Sequence, residues 1–338
     1  MSQIKLGSAP VSAGHEPDEW YQEGSVEYVG EGAANVVVDW VLPDGRSMGR
    51  LLRMPKAGTS SYSYEELQDY WTRQIVPLFQ EDDLVHQTLG PPLVLNVVCL
   101  AQDINDMLER MDQEDKRGKF RGSRVVVGVQ PMRLMDLRAR EDFDLAFDFK
   151  PKWLVQSRSA PDNATRCRNC AHEVYKLHKA GNTGPVTKLC PLKYTSGPSD
   201  IEEAVQHIWH QMSLRLRPPQ PSLDEPLLRE SLVRWLKGPN VLRRLQTRQL
   251  QLDSDGPLHA EDTNVGFHLA MTLRDCSCYI RLSSRRPGKV EARLGDLDRK
   301  NAEAKMEYWR NTEKTLIEGG FYEEKEEPRI ATNCVYGR

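Results

Sequence analysis

The sequence predicts an α+β chain of two lobes, a small β-rich lobe followed by a larger mixed one. Three observations carry this. Residues 35–41 (Asn-Val-Val-Val-Asp-Trp-Val) are dense in β-branched side chains, which fit a pleated, half-buried surface. Near residue 130 the pattern changes, with short scattered strands and longer helical periodicities after it. Pro-rich loops such as Arg217-Pro-Pro-Gln-Pro-Ser separate those later helices, and no internal repeat is present. The division expected is a loose tail over residues 1–24, a first lobe over 25–129 and a second over 130–338, with a hinge near 129–132.

Taken in order, residues 1–24 are polar and contain Pro, Gly and Ser, which suits a tail that buries little. Residues 50–54 can pair antiparallel with 35–41 across the turn Pro43-Asp44-Gly45. Residues 64–79 place Leu67, Tyr70, Trp71, Ile75 and Leu78 at helical spacing. The apolar runs 93–100 and 125–129 read as buried strands, and the charged stretch 107–122 as a helix end with an exposed loop. In the second lobe, helices are expected over 201–214, 226–236 and 302–319.

The chain has 338 residues and a formal net charge of −3, so no global field draws it onto nucleic acid or an anionic membrane. Any polyanion it binds must meet a local basic pocket. No apolar run is long enough to span a bilayer, and residues 1–18 lack a secretory pattern. The seven cysteines form an odd set, which argues against a disulfide framework and for a reducing compartment: cytoplasm, nucleus or both. The expected partner is a small molecule, with no nucleic acid and no membrane, and the expected state is a monomer.

Five segments carry chemistry. In Tyr28-Val-Gly-Glu-Gly-Ala-Ala-Asn35, two glycines one residue apart precede a strand, so backbone N–H groups can approach a phosphate closely. An ordinary tight turn is the plain alternative. A glycine loop running into a strand, with neither a third glycine nor a Lys-Ser/Thr ending, fits the lid over ATP in kinase-like folds. Arg53 on the next strand is then placed to reach nucleotide phosphates, or is a solvated edge-strand arginine.

In Phe147-Asp-Phe-Lys-Pro-Lys-Trp153, strand alternation would point Lys150 and Lys152 to one side, where an anion relieves their repulsion. A solvated Lys-Pro-Lys turn is the alternative. In Met271-Thr-Leu-Arg-Asp-Cys-Ser-Cys-Tyr-Ile280, Asp275 stands where a carboxylate can orient a hydroxyl and accept its proton. Otherwise it forms a surface pair with Arg274. In Gly295-Asp-Leu-Asp-Arg-Lys300, Asp296 and Asp298 offer paired oxygen donors suited to magnesium, or an Asp-rich turn. Cys167-Arg-Asn-Cys170 is half of a structural zinc knuckle; Cys190 and a histidine, His172 or His178, are the candidates to complete it, with reduced packed thiols as the alternative. His207 and His210 read as surface or packing residues rather than ligands, and the basic run 215–248 mostly as solvated helix faces.

The order of these segments resembles the inositol-pentakisphosphate 2-kinase family. Cys167-Arg-Asn-Cys-Ala-His172 and Cys190-Pro-Leu-Lys-Tyr-Thr-Ser-Gly197 look like that family's Cys-Arg-x-Cys-x-His and Cys-Pro-Leu-Asp-Leu-x-Ser-Gly segments. The resemblance runs from about residue 28 to about 308. It implies a two-lobed kinase-like fold related to inositol polyphosphate kinases and protein kinases, and transfer of the ATP γ-phosphate to the 2-hydroxyl of inositol pentakisphosphate, giving phytate. It implies that Gly30, Glu31, Gly32, Ala33, Ala34 and Asn35 lie over ATP, that Arg53 touches its phosphates, and that Asp275 and Lys150 are catalytic. Asp296, with Asp298 beside it, would hold magnesium. Lys152, His172, Lys176, Asn240, Arg243, Lys300, Lys305 and Tyr308 would meet the inositol phosphates, with Arg121 from the first lobe. The sequence departs from the family at Phe147-Asp-Phe (for Glu-Ile), Lys193 (for Asp) and Asn301 (for Pro). The rival reading is a non-catalytic inositol polyphosphate-binding module stapled by the zinc knuckle.

Overall fold

A computed structural model describes residues 24–59, 62–89, 97–213 and 223–337. Residues 1–23 of the expected tail lie outside this set. The architecture is α+β, with two sheets. The chain divides into two compact units: residues up to Tyr70 with Val85–Asp136, and Trp71–Leu84 with the chain from Leu137 onward. No helix among the described residues is long and apolar enough to cross a membrane.

The first unit is built on an antiparallel sheet of β1 (Ser25–Glu31), β2 (Asn35–Val41), β3 (Ser47–Pro55), β4 (Gln87–Leu89) and β5 (Met132–Met135), in the order β1-β2-β3-β5-β4. Val36, Val38 and Trp40 alternate along β2 and all point inward, as period-two patterning requires. β3 pairs with β2 across the Pro43-Asp44-Gly45 turn as expected, and Gly45 takes the positive φ (82°) that the turn needs. Helix α1 (Tyr64–Tyr70) packs Tyr64 and Leu67 on Met132. Helix α2 (Val97–Gln113) lays Leu100, Ile104 and Leu108, four apart, against the sheet.

Two expected strands are corrected here. Residues 93–96 lie outside the described set, and 97–100 open helix α2; a short apolar run does not distinguish a strand from a buried helix. Residues 125–129 contribute one bridge, Val125 to Lys56, after which Gly128 turns the chain and Val127 is exposed. The helical stretch 64–79 stops being α-helical after Tyr70 and continues as a π turn and a 3-10 turn, with Pro77 in the latter.

The second unit holds a three-stranded antiparallel sheet, β6 (Asp144–Phe149), β7 (Ser277–Ser283) and β8 (Val290–Gly295). Around it lie α3 (Arg168–Lys179), α4 (Pro198–Ser213), α5 (Glu225–Lys237), α6 (Val241–Leu252), α7 (Gly256–His259), α8 (Val265–Leu273) and α9 (Ala302–Glu318). The expected helices 201–214, 226–236 and 302–319 correspond to α4, α5 and α9, except that residue 214 lies outside the described set. One cluster packs α3 on α9 through Ala171, Val174, Leu316, Phe321 and Tyr322. Another packs Trp153, Phe267, Met271, Met306 and Trp309. Asn301 caps α9 by accepting the Ala304 N–H at 3.1 Å.

Register decides where the chemistry falls. Phe149 at the end of β6 pairs with Cys278, and Ser277 at the start of β7 pairs with Gly295 at the end of β8. Lys150, Asp275 and Asp296 therefore emerge from one end of one sheet, although Lys150 is 125 positions from Asp275 and 146 from Asp296.

Candidate active site

At that sheet end the Lys150 ammonium donates to the Asp275 backbone carbonyl at 2.7 Å and to Asp296 Oδ2 at 2.8 Å. The Asp275 carboxylate accepts Lys152 Nζ on Oδ1 at 3.0 Å and Lys300 Nζ on Oδ2 at 2.9 Å. Burial alone would raise the Asp275 carboxyl, but Lys300 and then Lys152 outweigh it and hold the group well below the usual carboxylate range. Burial likewise opposes the charged form of Lys150, yet Asp296 and then Asp275 lift it above an ordinary lysine.

The expected strand alternation is not what aligns Lys150 with Lys152. β6 ends at Phe149, and Lys152 takes a left-handed backbone (φ 57°), as does Asp296 (φ 56°). Non-glycine residues enter that region at a cost, and such outliers gather at working sites. Gln249, fully buried, holds the Lys152 turn: its Nε2 donates to the carbonyls of Lys152 (2.8 Å) and Leu273 (3.3 Å), and its Oε1 accepts the Leu154 N–H (2.8 Å). One amide thus ties the turn carrying Lys152 to the helix end that precedes Asp275.

The surface pair once open for Asp275 does not form. Arg274 turns inward onto Asp253 at 2.6 Å, and burial lowers its pKa to about 10. Its guanidinium covers one aromatic surface with Arg168, the two lying 3.5 and 4.3 Å from the Trp153 ring centre.

These groups border a cavity of about 900 Å³ within the second unit. Of the residues expected to meet substrate or react, Lys150, Lys152, His172, Lys176, Asp275, Lys300, Lys305 and Tyr308 line it. Its lining holds eight Lys or Arg against three Asp or Glu, in a chain whose net charge is −3. Field lines in such a cleft favour polyanions. Helix α3 contributes Arg168, His172 and Lys176, four residues apart along one stripe. The His172 imidazole has its pKa lowered to about 4, first by burial and then by Lys176 and Arg168. Glu173 sits between Lys176 (2.9 Å) and Lys188 (2.7 Å).

Other expected residues lie elsewhere. Asn240 caps α6, accepting the Leu242 and Arg243 N–H groups and donating to the carbonyls of Trp235, Leu236 and Gly238. Arg243 donates to the carbonyls of Gly238, Thr195 and Leu236, and neither residue is among those lining the cavity. Lys193 is buried and pairs with Glu203 and, at 4.0 Å, with Asp200.

Sequence reasoning missed Lys188, His207 and His210 as lining residues. The histidines read from sequence as surface or packing residues, and the face of α4 that carries them borders the cavity. Arg168 could have been found, since it begins the four-residue stripe that continues through His172 and Lys176.

In the first unit, Gly32, Ala33 and Ala34 form the β1–β2 turn, closed by Gly32 N–H to the Asn35 carbonyl at 2.9 Å. The Glu31 side chain is buried and committed to Lys56 (2.5 Å) and Arg117 (2.8 Å), while Lys56 also donates to the Gly32 carbonyl at 2.8 Å. Asn35 accepts the Tyr64 hydroxyl at 2.8 Å. Arg53 is not a solvated edge residue: it lies buried on the central strand β3, with its guanidinium 5.5 Å from the Tyr64 ring centre. Arg121 is exposed, 3.6 Å from Asp115.

Cys167, Cys170 and Cys190 come together, but their fourth companion is Cys334 rather than a histidine. His172 faces the cavity, and His178 packs on Phe321 with ring centres 5.5 Å apart. Sequence spacing concealed Cys334, which stands 144 positions from Cys190.

Comparison with known proteins adds an independent line. The family described as inositol-pentakisphosphate 2-kinase matches residues 28–315, most of the chain. A protein of that name from Yarrowia lipolytica is 26% identical over 191 residues, 56% of each chain. Another from Candida glabrata is 28% identical over 173 residues, 49% of this chain and 51% of its own. The matched region thus spans about half the length of these curated relatives. With a family match running from the glycine turn through the Asp-Leu-Asp segment and into α9, the chain belongs to the inositol-pentakisphosphate 2-kinase family.

Proposed function

We propose that the chain transfers the γ-phosphate of ATP to the 2-hydroxyl of inositol 1,3,4,5,6-pentakisphosphate, giving inositol hexakisphosphate. The observation that carries this reading is the Asp275 carboxylate held between Lys152 and Lys300 on the wall of a strongly cationic cavity, with Lys150 linking it to Asp296. A binding module has use for the cations but no need of two carboxylates at their centre.

In this reading Lys152, Lys176, Lys300 and Lys305 take the substrate phosphates, with His172 and Tyr308 beside them. Asn240, Arg243 and Arg121 carry a substrate role by resemblance alone. Asp275 orients the acceptor hydroxyl and takes its proton. A carboxylate held so low is a poor base while Lys152 and Lys300 rest on it. Substrate phosphates compete for those ammoniums, so occupancy raises the basicity of Asp275 where the hydroxyl arrives. Little proton transfer is needed early, because phosphoryl transfer passes through a loose transition state.

Lys150 neutralises charge on the transferring group. The half-exposed Asp296 carboxylate, with Asp298 two residues on, offers hard oxygen donors and too few of them to enclose an ion, which fits magnesium. Magnesium held there would supply charge neutralisation on the nucleotide phosphates.

The turn at residues 30–35 serves the nucleotide through its backbone, since Glu31 and Asn35 have internal partners. A Cβ on Gly30 or Gly32 would meet no atom within 4 Å, and neither has a positive φ, so packing does not demand glycine there. Close approach of a phosphate does. Arg53 acts on the same phosphates. We assign the activity to a monomer in the cytoplasm, the nucleus or both, a reducing setting consistent with seven free cysteines.

The test is incubation with ATP, magnesium and inositol pentakisphosphate, with products separated by phosphate position. Inositol hexakisphosphate is the expected product. Phosphate on another substrate or position points to a different inositol polyphosphate kinase, and tight binding without turnover to the binding module.

A further inference from the structure

The basic side chains that line the cavity are not equivalent. Two guanidiniums are committed at the Trp153 ring, Arg274 to Asp253 at 2.6 Å and Arg168 to Glu313 at 2.9 Å, and both carboxylates are buried. The rest, among the described lining residues, are Lys150, Lys152, Lys176, Lys188, Lys300 and Lys305. In the proposed function Lys150 serves the transferring phosphoryl, and all the others except Lys188 serve substrate phosphates. Asn240 and Arg243 donate to backbone carbonyls instead and do not line the cavity. An inositol pentakisphosphate therefore meets four assigned lysines with five phosphates.

Lys188 stands where the fifth can reach it. Its segment is pinned: the Val186 N–H donates to the Ala331 carbonyl at 2.9 Å, and Asn333 Nδ2 donates to the Lys188 carbonyl at 3.2 Å. The side chain is 67% exposed, against 49% for Lys176 and 8% for Arg168, so the cationic wall runs from a buried end to an open rim. At that rim Glu173 accepts Lys176 Nζ on Oε1 at 2.9 Å and Lys188 Nζ on Oε2 at 2.7 Å. Burial alone would raise the Glu173 carboxyl, but Lys188 and then Lys176 outweigh it and lower its pKa. An anion that places one oxygen on each of two ammoniums is also how a phosphate monoester is held.

We propose that Lys188 is a further substrate-phosphate ligand, paired with Lys176 at the rim of the cavity, and that Glu173 is the anion a substrate phosphate displaces from the two lysines. The proposal rests on the inositol phosphate reading of the cavity and adds a subsite and a specificity device to it. Exposed ion pairs contribute little to stability, so exchanging the carboxylate for a phosphate is cheap. A phosphate also brings more charge and more acceptor oxygens than the carboxylate it replaces. A ligand with no phosphate at this position leaves Glu173 in place and meets its negative charge. The pair thus favours the most highly phosphorylated rings by repelling the others.

The experiment measures calorimetric binding of inositol pentakisphosphate to the full chain over a range of salt concentrations. Lys188→Ala should weaken binding about 10-fold, the lower end for a hydrogen bond to a charged group, with a shallower salt dependence. Lys188→Arg should stay within about threefold of wild type, since charge and donors are kept. Glu173→Gln should tighten binding about fivefold, by removing a carboxylate's repulsion of the phosphate at a solvent-like dielectric. That gain should shrink in the Lys188→Ala background, because the two residues share one interaction. Lys179→Ala, on α3 but outside the cavity lining, should bind as wild type and controls for net charge. The inference is overturned if Lys188→Ala binds within about twofold of wild type, if Lys179→Ala weakens binding as much, or if Glu173→Gln weakens it. In each of those cases wild-type turnover of inositol pentakisphosphate still upholds the kinase reading, whereas wild-type protein that binds no inositol phosphate overturns both.

Discussion

Replacing Asp275 by Asn separates its two possible duties, chemistry and the ordering of lysines. The substitution keeps shape but removes the charge shared by Lys152 at 3.0 Å, Lys300 at 2.9 Å and Lys150 at 3.7 Å. Asp275, Lys150 and Lys152 are about half-exposed and only Lys300 is more buried, so each pair contributes about 0–1 kcal/mol to stability and the variant should fold. Losing a general base lowers turnover by about 100-fold to 10,000-fold, or about 3–5 kcal/mol in barrier. Binding should move the other way. A carboxylate about 5 Å from a substrate phosphate repels it by about 1 kcal/mol at a solvent-like dielectric, so the variant should bind inositol pentakisphosphate about fivefold more tightly. Rapid-quench turnover with magnesium and ATP, with calorimetric binding of the inositol phosphate, measures both. Turnover within about fivefold of wild type would remove Asp275 as the base, being far smaller than the loss expected of one. Binding that collapses together with turnover would show instead that Asp275 organises the lysines.

Lys152→Ala should weaken inositol pentakisphosphate binding by about 10-fold to 100-fold, the worth of a hydrogen bond to a charged group, with a shallower salt dependence; unchanged affinity by calorimetry counts against its role. His172 should take up a proton on binding, because phosphates offset the Lys176 and Arg168 charges that help hold its pKa near about 4. Its native pKa lies below the ordinary 6.5, so it contributes stability above pH 6.5 that is lost as pH falls towards 4, and binding tightens through that same window. Titrations in two buffers of different ionisation enthalpy should show uptake that His172→Asn lacks, and equal uptake in both proteins refutes the assignment. Gln249→Leu leaves the Lys152 and Leu273 carbonyls and the Leu154 N–H without their partner. It should cost about 1–3 kcal/mol in urea unfolding and lower turnover more than nucleotide affinity; a neutral result would mean the Lys152 turn holds itself.

Much of the site was legible because its residues sit beside local punctuation. Lys150 precedes Pro151, Asp296 follows Gly295, and the glycine turn precedes a β-branched run, so short windows flagged each one. Their convergence was not legible, since it rests on strand register across 125 and 146 positions. The same reason hid Gln249, which acts through its amide on backbone groups 95 and 97 positions away and leaves no motif. Lys188 emits no periodic signal from its loop. The misread run at 97–100 failed for a different cause: four apolar residues have no period of their own, and the helix around them decided their state. Lys152 reached the expected side of the site through a left-handed turn that no alternation rule foresees.

Since hydrogen-bonded pairing of Phe149 with Cys278 and of Ser277 with Gly295 sets the distances at the sheet end, that pairing does not itself constrain the length of chain strung between those strands. The excursion from β6 to β7 also carries Lys152, α3 and Gln249, so its length can vary only in exposed turns that hold none of them, such as residues 180–183 after α3. Segments grafted into that turn should be tolerated far better than a single-residue slip inside any of the three strands.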